Sequence, residues 1–298
     1  MKLTVNVSHK REKNTYVDSF EILSKAGFDA VDFVLNDLCD DNSEMYLTNT
    51  VDYCNTVKCE ANKRGLTIEQ THAPFVFKNW GDKNHFENVI FSRTVRSLEM
   101  SALLGAKIAV VHPLHHMTYK GHEEEIFQMN MDYYRRLLPY CKEYGIKVGI
   151  ENMWQKDKLR KYIIFDTCNT SEEFIRYIDT LDSEYMVACL DLGHVGLPER
   201  DDTVQDFIRA LGHDRLKALH VHDNDYVTDA HLLPYLGKMD WAEITQALAD
   251  IDYDGNLTYE VAPSLINTTD DTFTALGAKF MADVGRHLIN SIESKKKK

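Results

Sequence analysis

Histidines and carboxylates recur in this sequence at nearly regular intervals, each just after a short apolar run. Six such residues are His72, His112, Glu151, Asp191, His220 and Glu260. The successive intervals are 40, 39, 40, 29 and 40 residues. Imidazole and carboxylate groups are the usual protein ligands of divalent cations, and carboxylates also transfer protons. Burying so many polar groups without compensation would be costly, so the pattern predicts a divalent-metal site.

The runs that precede these residues have the character of buried parallel strands. Eight short β-rich runs alternate with longer amphipathic segments that are typical of helices. The runs are residues 3–7, 30–34, 67–71, 107–111, 147–150, 186–190, 216–220 and 257–259. Gly27, Gly65 and Gly105 precede three of them, as expected where a helix ends and a strand begins. Eight β-then-α units predict an α/β fold, a single (β/α)8 TIM barrel, with a doubly wound open sheet as the alternative.

A barrel of this kind places its active site at the C-terminal ends of the strands. The six residues follow the third to eighth runs in order. Their side chains should therefore meet at one rim although they are far apart in sequence. The metal site is expected at that rim.

Composition and charge suit one large domain with a small-molecule partner. The chain has 298 residues, 44% apolar and 27% charged, so it can bury a barrel core. We expect residues 1–292 to form the barrel and residues 293–298 to form a basic tail that ends in the lysine run 295–298. The formal net charge of −13 argues against a nucleic-acid partner.

Cysteine spacing and hydropathy indicate which cellular compartment to expect. The six cysteines form no C-x-x-C pair, which argues against a zinc knuckle or a redox motif. No window approaches about 18 continuous apolar residues, and the first residues lack a signal-peptide core. We therefore expect a cytoplasmic protein with reduced thiols and no membrane contact.

Taken together, the motifs resemble those of the xylose-isomerase-like TIM barrel superfamily, which includes sugar phosphate isomerases and epimerases and proteins like AP endonuclease family 2. The motifs are His72-Ala73-Pro74, His112-Pro113, Glu151-Asn152, Asp191-Leu192-Gly193-His194, His220-Val221-His222-Asp223, Asp229-Ala230-His231 and Glu260. The resemblance covers nearly the whole chain. It implies an isomerase or epimerase that acts on a sugar or sugar derivative.

The resemblance also implies a ligand set. One divalent ion, Mn²⁺, Mg²⁺, Co²⁺ or Zn²⁺, would be held by Glu151, Asp191, His220 and Glu260. His220 is preferred to His222 because the superfamily's metal histidine stands three residues before an acidic residue, here Asp223. His222 is then expected to point the other way on its strand. His194 resembles a histidine that contacts the substrate or a second metal.

The implied reaction moves a proton beside a carbonyl through an enediolate. Glu151 and Glu260, after the fifth and eighth runs, are the expected catalytic pair, one removing the proton and the other returning one. The expected partner is a small-molecule sugar or sugar phosphate, and a homo-oligomer is left open. Aromatic side chains of the rim loops could stack on the sugar or pack the loops themselves. They are Phe75, Phe77, Trp80, Trp154 and Tyr226.

Two alternatives stand beside this interpretation. Endonuclease IV, in the same superfamily, binds three zinc ions through nine ligands, and all nine positions have counterparts here. They are His72, His112, Glu151, Asp191, His194, His220, Asp229, His231 and Glu260. A trinuclear zinc phosphodiesterase with two or three Zn²⁺ is thus one alternative, and an inosose-type dehydratase is the other. No arginine lies between Arg215 and Arg286, where ketose 3-epimerases carry one for the substrate, which argues against a free ketohexose.

Overall fold

The computed structural model describes residues 1–9, 15–75, 80–197, 202–261 and 270–296. Eight parallel strands form one sheet. They are β1 (Leu3–Ser8), β2 (Ala30–Val34), β3 (Thr67–His72), β4 (Ile108–Val111), β5 (Lys147–Glu151), β8 (Met186–Asp191), β9 (Leu216–His220) and β10 (Leu257–Tyr259). Two further strands, β6 (Trp154–Lys156) and β7 (Ile163–Phe165), form a separate antiparallel hairpin. This hairpin was not predicted from the sequence, because three-residue strands give no periodic signal.

The sheet closes on itself. Its strand order is β10-β1-β2-β3-β4-β5-β8-β9. Just beyond β9, Val221 forms a parallel bridge with Tyr259, and its N–H donates to the carbonyl of Thr258 at 2.8 Å. The predicted (β/α)8 barrel is therefore confirmed. Each of the eight predicted runs is a strand, with bounds that differ by at most one residue.

Helices surround the barrel and connect the strands. They are α1 (Tyr16–Ala26), α2 (Glu44–Leu47), α3 (Thr50–Lys63), α4 (Lys83–His85), α5 (Ser92–Leu104), α6 (Glu123–Tyr144), α7 (Ser171–Leu181), α8 (Leu192–Val195), α9 (Val204–Arg215), α10 (Trp241–Asp250) and α11 (Asp271–Lys295). A 3-10 turn spans Asn36–Cys39, and a π-helical turn, Phe86–Phe91, joins α4 to α5. As predicted, α1 and α5 end at glycines, Gly27 and Gly105, which adopt the left-handed backbone conformation. Asp240 caps α10 by accepting from the N–H groups of Ala242 and Glu243.

Helix α11 extends beyond the expected end of the barrel. Residues 293–295, which were expected to begin a tail, are its last turn. The Lys295 ammonium donates to the carbonyl of Ala242 at 2.9 Å, and that of Lys296 donates to the carbonyl of Tyr253 at 2.7 Å. Residues 297–298 lie outside the described part of the chain. None of the helices in the described ranges is long and apolar enough to cross a membrane.

Side chains alternate between two cores along each strand. The larger core fills the layer between strands and helices, with fully buried residues such as Phe33 and Ile150. The inside of the barrel holds a small apolar cluster of Val110, Cys189 and Ala218. Because residues two apart on a strand share a face, the residues that end the strands point toward the barrel axis as these interior residues do.

Candidate metal centre

The strand ends bring most of the predicted site residues together at one mouth of the barrel. His72, Glu151, Asp191 and His220 are the last residues of β3, β5, β8 and β9. His112 directly follows β4, and Glu260 directly follows β10. The remaining candidates come from connecting segments: His194 lies in α8, and Asp229 and His231 lie in the long segment after β9.

The four residues implied by the resemblance form one group. Ligand atoms of Glu151, Asp191, His220 and Glu260 all lie within 4.8 Å of one another. Nδ1 of His220 is 2.8 Å from Oε1 of Glu151 and 3.2 Å from Oε2 of Glu260. The first three side chains are buried, whereas that of Glu260 is 23% exposed. One cation could contact all four.

A second group shares Glu151. Ligand atoms of His72, Glu151 and His220 also lie within 4.8 Å of one another. Nε2 of His112 is 3.0 Å from Oε2 of Glu151, and Nε2 of His72 is 3.4 Å from the same oxygen. The ring of Phe75 packs against both histidines, with centroid separations of 4.8 Å to His112 and 5.0 Å to His72. His72 and His112, the two further histidines predicted at strand ends, are thus adjacent to the first group.

The third group includes a histidine that the sequence analysis set aside. It consists of His194, His222, Asp229 and His231. Nε2 of His222 lies 3.0 Å from Oδ1 of Asp191, so this residue also joins the third group to the first. The expectation that His222 points the other way is wrong, because residues two apart on an extended strand share a face. The two-residue alternation of side chains along a strand, correctly applied, predicts that His222 faces the site together with His220.

A buried carboxylate fixes the long segment that carries Asp229 and His231. Asp223 is fully buried and accepts four hydrogen bonds. The donors are the backbone N–H groups of Asn224 (2.8 Å), Tyr235 (3.0 Å) and Met239 (3.1 Å) and the indole N–H of Trp241 (2.8 Å). The irregular chain after β9 is thereby tied to the end of the barrel, which positions the third ligand group.

Backbone carbonyls orient three of the histidines. Nδ1 of His72 faces the carbonyl of Ala73 at 2.8 Å, and Nδ1 of His194 faces that of Asn152 at 2.8 Å. Nδ1 of His231 likewise faces the carbonyl of Glu260 at 2.6 Å. A carbonyl only accepts, so Nδ1 carries a proton in each ring and Nε2 is directed at the carboxylates. Metal-binding histidines are commonly held in this way.

Uncompensated buried oxygens support the fit of a cation. Among the described residues, Oε2 of Glu151 and Oδ1 of Asp229 are buried and accept no well-directed hydrogen bond, although Nε2 of His112 lies 3.0 Å from Oε2 of Glu151. Such groups are costly, and most buried polar atoms in proteins are satisfied. A divalent cation between imidazole nitrogens and carboxylate oxygens would remove this cost. The mixed donor set suits Zn²⁺, Mn²⁺ or Co²⁺, and its oxygen-rich part also suits Mg²⁺.

The clustered charges shift one another's pKa values. Burial lowers the pKa of His194, but the charges of Asp191 and Asp229 outweigh it and raise that pKa to about 10. Burial likewise lowers the pKa of His231, but the hydrogen bond to Asp229 and nearby charges raise it to about 9. Burial dominates at His112 and lowers its pKa to about 4. Protons and cations therefore compete for the third group, since a ligating nitrogen must be unprotonated.

Members of all three groups line a cavity of about 570 Å³: His72, Glu151, His194, Asp229, His231 and Glu260. Its wall includes Phe75, Trp80 and Trp154 together with His115 and His116. Of the predicted aromatic residues, Phe77 lies outside the described ranges, and Tyr226 lines a separate groove of about 950 Å³ beyond the hairpin. The cavity is of the size that small-molecule ligands occupy.

Sequence reasoning also missed a histidine–carboxylate pair in the cavity wall. Nδ1 of His115 is 3.1 Å from Oδ2 of Asp166, which is fully buried. The carboxylate also accepts from the N–H of Thr167 at 2.7 Å. The His112-Pro113-Leu114-His115 spacing is a weak signal for the histidine, but nothing in the sequence pairs it with a residue 51 positions away.

Comparisons with known proteins support the barrel fold and its family. Residues 20–282 match a protein family described as xylose isomerase-like TIM barrel. D-psicose 3-epimerase from Enterocloster bolteae is 33% identical over 126 residues, which are 42% of this chain and 37% of that enzyme. This chain spans 62%, 50% and 37% of the length of three curated relatives. The matches thus cover less than two thirds of each.

Solved structures share the fold. A D-tagatose 3-epimerase-like protein superposes with a TM-score of 0.73 at 20% identity, over 99% of both chains. The IOLI protein with a bound zinc atom superposes with a TM-score of 0.72 at 18% identity, over 100% of both chains. At these identities the similarity shows the barrel architecture alone.

Proposed function

The chain belongs to the xylose isomerase-like TIM barrel family, and we propose that it is a divalent-metal-dependent isomerase or epimerase of a sugar or sugar derivative. The observation that carries the proposal is the position of Glu151 and Glu260. Their carboxylates approach Nδ1 of His220 from two strands that are not neighbours, and both side chains line the cavity. They can therefore share a cation and also face a substrate from different directions.

The four residues of the first group would hold the ion: Glu151, Asp191, His220 and Glu260. When bound, the ion withdraws electrons from a substrate carbonyl and offsets the negative charge that develops beside it. The two glutamates move the proton. One carboxylate accepts it from the carbon next to the carbonyl, and the other donates a proton from another side. Return to the opposite face of the same carbon inverts that carbon, and return to the neighbouring carbon isomerises the sugar.

The cavity favours a polar substrate of monosaccharide size, phosphorylated or not. Histidines on its wall, including His115 and His116, offer hydrogen bonds to hydroxyl groups, and Trp80 and Trp154 offer flat apolar faces. The ring of Trp80 lies parallel to that of His116, with an interplanar angle of 5°. The similar protein from Enterocloster bolteae is named as a D-psicose 3-epimerase, which supports the reaction class.

Solvent-deuterium exchange tests the proposal even while the product is unidentified. The full-length protein is loaded with Mn²⁺ and incubated in D₂O with a panel of ketoses, keto-glycosides and their phosphates. Proton NMR then detects deuterium at the carbon beside the carbonyl, together with any epimer, isomer or dehydrated product. We expect exchange with at least one class, and its loss when the ion is removed by a chelator. Absence of exchange across the panel would contradict the proposal, and a dehydrated product would indicate a dehydratase.

A trinuclear zinc phosphodiesterase is a second candidate, favoured by one observation. The three ligand groups include eight of the nine positions of the endonuclease-like set, and the ninth, His112, contacts Glu151 at 3.0 Å. Elemental analysis of protein purified without chelators separates the candidates, since the isomerase needs one ion and the phosphodiesterase about three. Three tightly bound zinc ions with cleavage of an abasic DNA duplex would favour the second candidate. The net charge of −13 opposes it.

A further inference from the structure

Asp32 is a fully buried carboxylate behind the metal centre and belongs to none of the ligand groups. It is the middle residue of β2, and its side chain points into the barrel. Oδ2 accepts from the side-chain amide of Gln70 at 3.1 Å and lies 3.3 Å from Nε2 of His220. Oδ1 has no hydrogen-bond partner among the described residues. A charge so poorly satisfied in a protein interior is costly.

The two nitrogens of His220 face different groups. Nδ1 faces Glu151 and Glu260, and Nε2 faces Asp32. Carboxylates face both nitrogens, so a cation in the first ligand group would take the place of a proton on Nδ1, and the carboxylate at Nε2 would hold the remaining ring proton there. The Nδ1 lone pair is then directed into the first ligand group.

This arrangement reverses that of the other oriented histidines. His72, His194 and His231 donate from Nδ1 to a backbone carbonyl and present Nε2 to the carboxylates. His220 presents Nδ1, and its partner is a charged side chain. An anionic partner makes an imidazole a stronger electron donor than a neutral carbonyl does.

We propose that Asp32 is a positioning residue that fixes the ring form and orientation of His220 and thereby sets the affinity of the first ligand group for a divalent cation. This inference rests on the proposed metal-dependent function. Asp32 does not touch the ion or the substrate; it acts only through His220. Asp32 should therefore affect the affinity of the site for the ion and the choice of the His220 nitrogen that coordinates it, and not only the stability of the fold.

The first test compares Asp32→Asn with the wild-type protein. The asparagine keeps the shape and removes the charge. Co²⁺ alone is titrated into full-length, chelator-treated protein and followed by its visible absorption and by calorimetry. We expect roughly 10- to 100-fold weaker binding by Asp32→Asn, with an unfolding midpoint of the metal-free protein close to that of the wild type.

Thr4→Val is the matched control. Thr4 is also fully buried on a barrel strand, and its hydroxyl has no hydrogen-bond partner in the described structure. Its substitution should leave Co²⁺ affinity unchanged. Equal affinity of Asp32→Asn and the wild type, or a loss matched by Thr4→Val, would overturn the inference while leaving the metal centre in place. Failure of the wild type to bind any Co²⁺ would instead overturn the proposed function, and the inference with it.

The second test observes the coordinating nitrogen in the wild-type protein itself, and a variant is needed only to assign the signals. Histidine is labelled with ¹⁵N, the protein is loaded with Zn²⁺, and NMR distinguishes the protonated nitrogen from the ligating one. The His220 signals are identified by their absence from His220→Gln. We expect zinc on Nδ1 and a proton on Nε2. Zinc on Nε2 would overturn the inference, because Asp32 could then not be the partner.

Discussion

The ring of His222 lies flat on the ring of His231, with centroids 4.1 Å apart and planes inclined by 12°. His222 also packs directly against Gly193, where a β-carbon would overlap the imidazole. Two close contacts therefore hold this member of the third ligand group. Both neighbours come from segments outside the strands, so packing reinforces the orientation that the strand gives this histidine.

Gly193→Ala should destabilise the protein and displace His222. The added methyl group has no room, because the imidazole is confined by His231. We expect a loss of about 1–3 kcal/mol in the free energy of unfolding, typical of overpacking a tight site. Urea denaturation of the metal-free protein measures it. Gly81→Ala is the control, since a β-carbon there meets nothing within 4 Å; equal stability of the two variants would contradict the prediction.

Glu151→Gln and Glu260→Gln should each reduce deuterium exchange at least about 100-fold at saturating Mn²⁺, because an amide cannot accept the proton. Circular dichroism should show an intact fold for both. Glu143→Gln, at an exposed position of α6, should exchange at the wild-type rate. Near-full activity in either site variant would refute the scheme of two carboxylates.

Asp223→Asn should loosen the segment between β9 and α10. The carboxylate accepts four hydrogen bonds, and an amide offers a single acceptor oxygen, so buried donors lose partners. We expect a cost of about 2–3 kcal/mol in urea denaturation. Asp225→Asn alters an exposed acceptor in the same segment and should cost less than about 1 kcal/mol. Similar costs would show that Asp223 does not organise the segment.

Glu173 should make stability depend on pH. Burial raises its pKa from the usual 4.5 to about 7, although Tyr119 and the N–H of Cys168 hydrogen-bond to the carboxylate. Above the pKa of the unfolded chain, unfolding releases a proton that the folded state retains. The stabilisation is therefore complete below about pH 4.5 and is lost as the pH rises through about 7.

Urea midpoints at about pH 5 and about pH 7.5 measure this effect. Wild-type stability should fall between these values by about 1–3 kcal/mol more than that of Glu173→Gln. Glu172→Gln changes the exposed neighbouring carboxylate and should keep the wild-type slope. A slope in Glu173→Gln equal to the wild-type slope would exclude Glu173 as the source.

Most strands were predictable because they are largely buried on both faces and form short runs of apolar or β-branched residues, although β3 contains a single aliphatic residue. The candidate ligands were predictable for a related reason, since parallel strands end at one rim and the residue after each run must lie there. The orientation of His222 was predicted wrongly. This residue lies two positions beyond the end of β9, where side chains still alternate as they do on the strand, so it points the same way as His220. One feature of the sequence could have indicated a role for Asp32: it is a carboxylate in the middle of the apolar run Ala30-Val31-Asp32-Phe33-Val34. Its pairing with His220 spans 188 positions and becomes visible only when the barrel closes.

Glu151 belongs to two ligand groups at once. A cation bound near one of its oxygens makes the electrostatic potential at the other oxygen of the same carboxylate less negative. Occupancies of the two positions are then linked, and a first cation weakens the attraction for a second. Where cations enter both positions, titration of this barrel mouth should thus follow a curve broader than that of two independent sites.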